Sequence, residues 1–323
     1  MSFDLGAIHE TADRIRPFIV ETPIHRWDTP FARTTFGRET ELYLKLELFQ
    51  RTGTFKVRGA MSNALTLAPD ELERGLTAVS AGNHAIAVAF AAHALGTTAK
   101  VVMPRLANPY RIDSARNWGA EVVLVEDTVA AFAEVALIQE HEGRHFIHPF
   151  EGLRTCLGTA TLGAEFAAQV PELDAVVVAV GGGGLFAGVS RAIKLINPSC
   201  RTYGVEPEGA DNLRRALDAG EPVRLPKIAT IADSLAPPGC AEFSFGLCRD
   251  HLDQLIVITD DDMRRAMALM VEELKIAVEP AGAAAAAALW RVRDEIEGQR
   301  IGVLVCGSNI DATTFARLIA LAA

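Results

Sequence analysis

The sequence predicts an α/β protein built on open, twisted, mostly parallel β-sheets. Short apolar runs rich in Val and Ile alternate along the chain with longer stretches that have helical spacing. Buried parallel strands form such continuous runs, because helices cover both faces of their sheet. With 323 residues the chain is long enough for two domains. Its composition, 50% apolar and 22% charged residues, is that of an ordinary globular protein.

Each predicted element follows from a local pattern. Strands are predicted, in chain order, at LTAVSA (76–81), AKVVMP (99–104), EVVLVE (121–126), AVVVAV (175–180), RTYGVE (201–206), LIVIT (255–259) and IGVLVC (301–306). Helices are predicted to open at Lys56 and to span 84–95, 128–142, 159–169, 185–196 and 261–275. The alanine-rich segment 281–290 predicts a buried helix, because alanine favours helices and permits close packing.

Charge and cysteine content exclude several classes of protein. The net charge is −10 and no block of Lys or Arg occurs, so no nucleic-acid partner is expected. The longest apolar stretch, 175–189, is interrupted by four glycines, which favours a strand and a loop over a membrane span. The first 20 residues lack the basic and apolar regions of a secretory signal. Five cysteines without a C-x-x-C pair predict neither a disulfide framework nor a zinc site, and favour a cytoplasmic location.

The segment QRTGTFKVRGA (50–60) raises the question of what Lys56 does. The lysine follows a turn of small residues and a phenylalanine, and it opens a helix. Most lysines are surface residues. A lysine fixed beside the free N–H groups of a helix start is also suited to be a reactive amine next to an anion site.

Four consecutive glycines follow the strand at 175–180 and precede a helix. Glycines let the backbone approach a ligand, and a helix N-terminus favours anions, so the loop predicts a phosphate site. No Gly-Lys-Ser/Thr follows, which excludes a nucleotide P-loop. The pattern Gly182-x-Gly184-x-x-Ala187, with Glu206 ending the next strand, also satisfies a relaxed dinucleotide fingerprint. Taken alone, the segment fits NAD and a simple phosphate equally.

Two further strand ends carry polar residues. SAGNH (80–84) can bind a carboxylate through backbone N–H groups, but taken alone the segment favours an N-capped strand–helix junction with a structural His84. VCGSN (305–309) ends the last strand, where Cys306 also fits as a small buried apolar residue. Ligands bind at the carboxyl ends of strands in open α/β sheets, so these junctions and the Lys56 segment predict one pocket.

These motifs resemble those of the fold-type II pyridoxal 5′-phosphate (PLP) enzymes, in the serine/threonine dehydratase and serine racemase branch. QRTGTFKVRGA resembles the family's lysine motif, SAGNHA its asparagine motif, GGGGL its phosphate loop and CGSNID its pyridine-nitrogen motif. The resemblance covers nearly the whole chain and implies a two-domain, tryptophan synthase β-like fold. It implies a large cofactor domain of residues 1–74 and 151–323, a small mobile domain of residues 75–150, and a homodimer.

The resemblance also implies roles for individual residues. Lys56 would form the Schiff base with PLP and later act as the base at the substrate Cα. The cofactor-binding residues would be Phe55, Lys56, Asn83, Gly181, Gly182, Gly183, Gly184, Leu185, Glu279 and Cys306. The substrate carboxylate would lie against Ser80, Ala81, Gly82, Asn83 and His84.

Two of these residues favour a dehydratase. A neutral Cys306 thiol cannot keep the pyridine nitrogen protonated, so loss of a β-substituent should compete well with other fates of the substrate. Racemases of this branch resemble Ser-Ser-Gly-Asn-His, in which the second serine is the acid on the opposite face. Here Ala81 has no proton to give. We therefore expect a 3-hydroxy-L-amino acid to yield a 2-oxo acid and ammonia.

Several positions depart from the family pattern. Glu206, Ala210 and Asn212 match the divalent-cation site, but Asn212 replaces an aspartate, so no strong Mg²⁺ or Ca²⁺ requirement is expected. Leu157 stands where glutamine is common, and Asp233-Ser234 where Asp-Gly is usual. With the Pro-Pro-Gly segment at 237–239, these changes predict a substrate other than plain serine or threonine, such as 3-hydroxyaspartate, phenylserine or a hydroxyectoine-pathway intermediate.

Three other functions compete with this interpretation. A PLP racemase or a β-replacement synthase would use the same motifs. An NAD-dependent oxidoreductase would use Gly182, Gly184 and Glu206 but would leave the Lys56 and Asn83 motifs unexplained. A catalytically silent binding protein on this scaffold would not need an intact Lys56.

Overall fold

The protein contains two β-sheets, with helices packed on their faces. The computed structural model describes residues 2–322. Its strands are β1 (Ile24–Arg26), β2 (Glu41–Leu46), β3 (Leu76–Val79), β4 (Ala99–Pro104), β5 (Glu121–Val125), β6 (His145–Phe146), β7 (Ala175–Ala179), β8 (Arg201–Pro207), β9 (Gln254–Ile258) and β10 (Arg300–Val305).

Helices alternate with these strands along most of the chain. They are α1 (Leu5–Ile15), α2 (Pro30–Phe36), α3 (Lys56–Ala64), α4 (Pro69–Glu73), α5 (Asn83–Ala94), α6 (Pro109–Asn117), α7 (Thr128–Glu142), α8 (Leu153–Gln169), α9 (Gly184–Ile196), α10 (Asn212–Ala219), α11 (Glu242–His251), α12 (Asp260–Leu274), α13 (Pro280–Ala288) and α14 (Ala312–Ile319). Within the described part of the chain, no helix is long and apolar enough to cross a membrane.

The larger sheet has six strands in the order β1-β2-β10-β7-β8-β9. All of its pairings are parallel except the β1–β2 pair. The smaller sheet has four parallel strands in the order β5-β4-β3-β6. The predicted α/β class is therefore confirmed. The boundaries proposed for the two domains, 74/75 and 150/151, stay a prediction, although all four strands of the smaller sheet lie between them.

Each sheet has its own apolar core. The core of the larger sheet includes the fully apolar strand β7 and the alanines of α13, which are at most 2% exposed. The core of the smaller sheet is formed largely by α5, β3 and β4, together with residues of α3. All five cysteines are free thiols.

The sequence pattern located the elements whose residues are almost all apolar. All seven predicted strands are present with boundaries within two residues, and a helix does begin at Lys56. The pattern missed the short strands β1 and β6. It also missed β2, because Glu41 and Lys45 break the continuous apolar run by which the other strands were predicted. That lysine, Lys45, is fully buried and donates to Glu165 at 2.5 Å and to Gln169 at 2.7 Å. A strand of the core can therefore carry a charged residue when that residue is paired inside the fold, and the apolar pattern does not reveal such a strand.

Candidate active site

The predicted polar junctions meet at one place between the two sheets. The end of β3 contributes the turn at 80–84, the end of β7 the glycine loop, and the end of β10 the segment at 306–309. A cavity of about 420 Å³ is lined by Phe55, Lys56, Asn83, Phe150, Gly181, Gly182, Gly183, Gly184, Leu185, Ser234, Glu279 and Cys306, among others. A second, open cavity of about 820 Å³ adjoins it, and Lys56 lines both.

Lys56 is held at the start of α3 by backbone contacts to the last strand. Thr54 forms an antiparallel bridge with Gly307, and the Phe55 N–H donates to the Cys306 carbonyl at 3.2 Å. The Lys56 ammonium donates to the carbonyl of Pro149 at 2.5 Å. The lysine is thereby placed between residues of the larger sheet and the loop that precedes α8.

A buried ionic cluster fixes the helix that carries Lys56. Arg58, two residues further on, donates to both carboxylate oxygens of Glu47 at 2.9 and 2.8 Å and to Glu165 at 2.9 Å. The side chains of Arg58 and Glu47 are fully buried. Because an isolated buried charge is costly, removing either Arg58 or Glu47 would destabilise the start of α3, where Lys56 lies.

The glycine loop approaches the segment after β6 too closely for any side chain. A Cβ added at Gly182 would lie 2.3 Å from Cγ of Phe150, and one at Gly184 would lie 2.2 Å from the Phe150 carbonyl oxygen. Helix α9 begins at Gly184, and the first N–H groups of a helix have no intrahelical partner. The loop therefore offers backbone donors and the positive end of a helix dipole, which suit a phosphate.

Asn83 is the first residue of α5 and faces the larger sheet. Its Nδ2 donates to Glu279 at 2.7 Å and lies 3.1 Å from the Ser234 hydroxyl. Its Oδ1 accepts from Asn309 at 2.9 Å. Asn83, Glu279 and Asn309 are all buried, so the amide is held in one orientation at the wall of the smaller cavity.

Other residues of the turn at 80–84 also make defined contacts. The Ser80 hydroxyl accepts from the Gly82 N–H at 2.9 Å, and Ala81 lines the open cavity. His84 contacts the carbonyl of Ile147 through Nε2 at 2.7 Å. Burial and the nearby Lys56 lower the pKa of His84 to about 3, so His84 is neutral at physiological pH. The neutral ring carries its one proton on Nε2 and donates it to the Ile147 carbonyl, because a carbonyl oxygen can only accept.

Cys306 ends the strand that faces Lys56. Its thiol donates to the Ala281 carbonyl at 3.3 Å and is buried. Burial, reinforced by the Glu279 charge, raises the pKa of Cys306 well above its ordinary value. The thiol therefore stays neutral, as the argument for β-elimination requires.

Comparison with known proteins assigns the chain. The family model described as "Pyridoxal-phosphate dependent enzyme" matches residues 15–307. The chain belongs to this family of PLP-dependent enzymes. A phenylserine dehydratase of Ralstonia pickettii is 49% identical over 98% of this chain and 97% of its own length. An L-threonine ammonia-lyase of Thermotoga maritima is 38% identical over 86% of this chain and 70% of its own length. The structure of maize serine racemase is 34% identical, with a TM-score of 0.90 over 98% of this chain and 97% of that one.

These findings confirm the predicted fold-type II family, the PLP cofactor and the lyase class of this enzyme. They leave no support for the NAD-dependent alternative. The smaller cavity also fits PLP on its own chemistry: it has a lysine at one side, a glycine cradle with helix donors for a phosphate, and the Asn83 amide on its wall. The roles of individual residues remain predictions.

The ionisation of Lys56 in this PLP enzyme leads to a first testable result. Burial lowers the pKa of Lys56 from 10.5 to about 8, against the opposing effect of the Glu279 charge. Only the neutral amine attacks an aldehyde, so covalent loading of PLP onto cofactor-free protein should accelerate as pH rises and level off above about 8. Stopped-flow absorbance between pH 6 and pH 10 measures this. A rate still rising tenfold per pH unit at pH 9 would contradict the lowered pKa.

The predicted metal ligands of this PLP enzyme, Glu206, Ala210 and Asn212, lie in one short segment, and the Glu206 oxygens are already hydrogen-bonded. Both carboxylate oxygens of Glu206 accept backbone N–H groups, from Leu213 at 2.7 Å and Arg214 at 3.0 Å. Glu206 thereby caps α10, and burial raises its pKa to about 8. Asn212 donates to the carbonyl of Gly181 at 3.1 Å. Across residues 2–322 no group of three or more His, Cys, Asp or Glu side chains could hold a metal.

Several residues of the site were not found by sequence reasoning. Arg111 is buried and contacts Glu279, and Asn309 contacts Asn83, yet neither was assigned a role. Phe132 and Phe150 line the open cavity from separate segments. The one available signal was Asn-Pro at 108–109, which starts α6 and places Arg111 in its first turn. Nothing in the sequence indicates where such a side chain points.

Proposed function

We propose that this PLP enzyme is a dehydratase that converts 3-hydroxy-L-amino acids with a large apolar group at Cβ into 2-oxo acids and ammonia. The phenylserine dehydratase and threonine ammonia-lyase relatives support the reaction class. The observation that carries the proposal is the open cavity in front of Lys56, whose walls combine two phenylalanines and four prolines with polar residues such as Asp233 and Ser234. Its turn has Ala81 at the position where a racemase would need an acid on the opposite face.

In this proposal the chain's own residues handle the substrate and its proton. Bound PLP withdraws electrons from the substrate Cα and so makes its proton easier to remove. Lys56, with a pKa of about 8, takes that proton and can return it to the departing hydroxyl. The backbone N–H groups of the turn at 80–84 bind the substrate carboxylate. The neutral Cys306 thiol cannot keep the pyridine nitrogen of bound PLP protonated, and a protonated nitrogen would favour transamination.

The walls of the open cavity indicate the kind of side chain it accepts. They include Phe132 of α7, Phe150, Pro104, Pro237 and Pro238. The His148 ring lies 4.7 Å from the Phe150 ring and 6.4 Å from the Phe132 ring, so it packs against both phenylalanines of this wall. Aromatic and proline surfaces suit an aryl group at Cβ better than the hydrated carboxylate of 3-hydroxyaspartate.

Racemisation is the alternative that the relatives raise, because serine racemases are among them. A racemase needs a proton donor on the face of Cα opposite Lys56. Among the described residues of the turn, Ala81 has no such group, and His84 directs its Nε2 proton to the carbonyl of Ile147. We therefore expect elimination to exceed racemisation.

A substrate panel tests the proposal. The purified holoenzyme is given L-serine, L-threonine, L-threo-phenylserine and 3-hydroxyaspartate, and 2-oxo acid, ammonia and the enantiomer of the remaining substrate are measured. Release of both products, with the highest kcat/KM on phenylserine, is the expected result. Enantiomer without oxo acid would replace the dehydratase with a racemase, and a preference for serine would refute the apolar substrate.

The aromatic wall is tested by Phe132→Ala. Loss of the contact with an aryl ring should lower kcat/KM on phenylserine by about 10- to 200-fold, while kcat/KM on threonine stays within about threefold. Leu137→Ala on the same helix is the control, because Leu137 is also surface-exposed but does not line the cavity. Equal losses on both substrates would show that Phe132 supports the fold and does not select the substrate.

We also propose that the enzyme is a homodimer, that it is cytoplasmic, and that a small domain of residues 75–150 closes over the substrate. Light scattering on the purified holoenzyme tests the dimer.

A further inference from the structure

Arg111 joins helix α6 to the part of the chain after β8, beside the wall of the smaller cavity that Glu279 lines. It lies in α6, beside the four-stranded sheet, and its side chain is 4% exposed. Nε donates to the carbonyl of Asn309 at 2.7 Å, and the terminal nitrogens donate to Asp233 at 2.6 Å and Glu279 at 2.7 Å. All three acceptors lie in the chain after β8. The guanidinium therefore makes all of its charged contacts outside its own sheet.

The Glu279 carboxylate transmits this contact to Asn83. One oxygen accepts from Arg111, and the other accepts from Asn83 Nδ2 at 2.7 Å. Asn83 Oδ1 accepts from Asn309, whose carbonyl is bound by Arg111. The four residues form a closed ring of hydrogen bonds. Because a carboxylate only accepts, the ring fixes the Asn83 amide with its nitrogen toward Glu279.

The same arginine supports the turn at 80–84. A Cβ added at Gly82 would lie 2.1 Å from Cδ of Arg111, so the aliphatic part of the arginine lies directly against the backbone of this turn. Arg111 thus touches both the turn expected to bind the substrate carboxylate and the carboxylate that orients Asn83.

We propose that Arg111 is a positioning residue of the active site, which directs the Asn83 amide through Glu279 and holds the turn at 80–84 against the larger sheet. Without the guanidinium, Glu279 would keep only the neutral donors Asn83 and Ser234. A fully buried carboxylate without a positive partner takes up a proton. The carboxyl would then present a donor to Asn83 in place of an acceptor, and the amide would turn or lose its partner.

PLP binding by Arg111→Met tests the proposal without any substrate. We expect the dissociation constant for PLP, measured by titrating cofactor-free protein, to rise by at least about tenfold, and the visible band of the bound cofactor to shift. Arg116→Met is the matched control: Arg116 lies on the same helix, is about half exposed and pairs only with Asp113. Its PLP affinity and spectrum should equal those of the wild type.

Two further variants separate positioning from mere stability. Arg111→Lys keeps a charge near Glu279 but cannot reach three acceptors, so its affinity should lie between those of wild type and Arg111→Met. In Arg111→Met combined with Glu279→Gln, the losses should be less than additive, because both act on Asn83. Should Arg111→Met not fold, the folded lysine variant decides.

The proposal is overturned if Arg111→Met, or the lysine variant in its place, has wild-type PLP affinity and spectrum and loses only thermal stability. Since no amino-acid substrate is used, this outcome is independent of whether the proposed dehydratase activity is found.

Discussion

Lys56→Ala is expected to lose the visible absorbance of the wild-type protein and at least about 10⁴-fold in kcat on any substrate. Among the described residues, Lys56 is the one lysine that lines both cavities, and its amine is needed for covalent attachment of PLP and for proton removal at Cα. PLP itself should still bind, because the glycine loop and the start of α9 do not depend on the amine. Absorbance spectra and an assay for 2-oxo acid measure the two losses.

Lys227→Ala is the control for this variant. Lys227 is exposed and lines neither cavity, so its loss should change neither spectrum nor rate. Added small primary amines should restore part of the activity of Lys56→Ala, since they replace the missing base. A Lys56→Ala protein that keeps the wild-type spectrum would assign the covalent lysine elsewhere and refute the site.

Gly182→Ala is expected to weaken PLP binding by about 10- to 100-fold. The added methyl group would lie 2.3 to 2.5 Å from three ring atoms of Phe150, so either the ring or the loop must move. Both line the smaller cavity, and either movement changes the cradle for the phosphate. Titration of cofactor-free protein with PLP, and with inorganic phosphate as a competitor, measures the effect.

The Phe150 ring also provides a direct check of that cause. Gly182→Ala combined with Phe150→Ala removes the clash and should recover most of the affinity, while Gly246→Ala, which meets no atom within 4 Å, should leave it unchanged. If the double variant binds PLP as weakly as Gly182→Ala alone, the overlap with Phe150 is not the reason.

The sequence predicted those parts of the molecule that depend on local pattern. Apolar runs such as β7 form strands wherever they occur, and a glycine run between a strand and a helix has few other uses. Four short motifs in order were enough to identify the family and its cofactor. Local pattern does not determine the order of strands within each sheet or the pairing of β2 with β10, because both depend on contacts between distant segments.

The residues that sequence reasoning missed depend on side-chain direction. Arg111 and Lys45 are charged, and charged residues are normally exposed, so composition places both on the surface. Both are buried because partners from other segments surround them: Glu279 and Asp233 for Arg111, Glu165 for Lys45. Phe132 is partly exposed on α7, and only the folded chain shows that it faces the cavity in front of Lys56.

Because Thr54 pairs with Gly307, the site around Lys56 can be completed only after residue 307 has been synthesised. The segment that carries Lys56 is synthesised early, whereas the end of β10 that holds it in place follows about 250 residues later in the sequence. Asn309 binds the carbonyl of Thr52 across a separation of 257 residues. Closing a loop of this length costs conformational entropy before the contact can form, so such contacts slow folding. Until residue 309 has been synthesised, a nascent chain therefore carries Lys56 without the strand end that positions it.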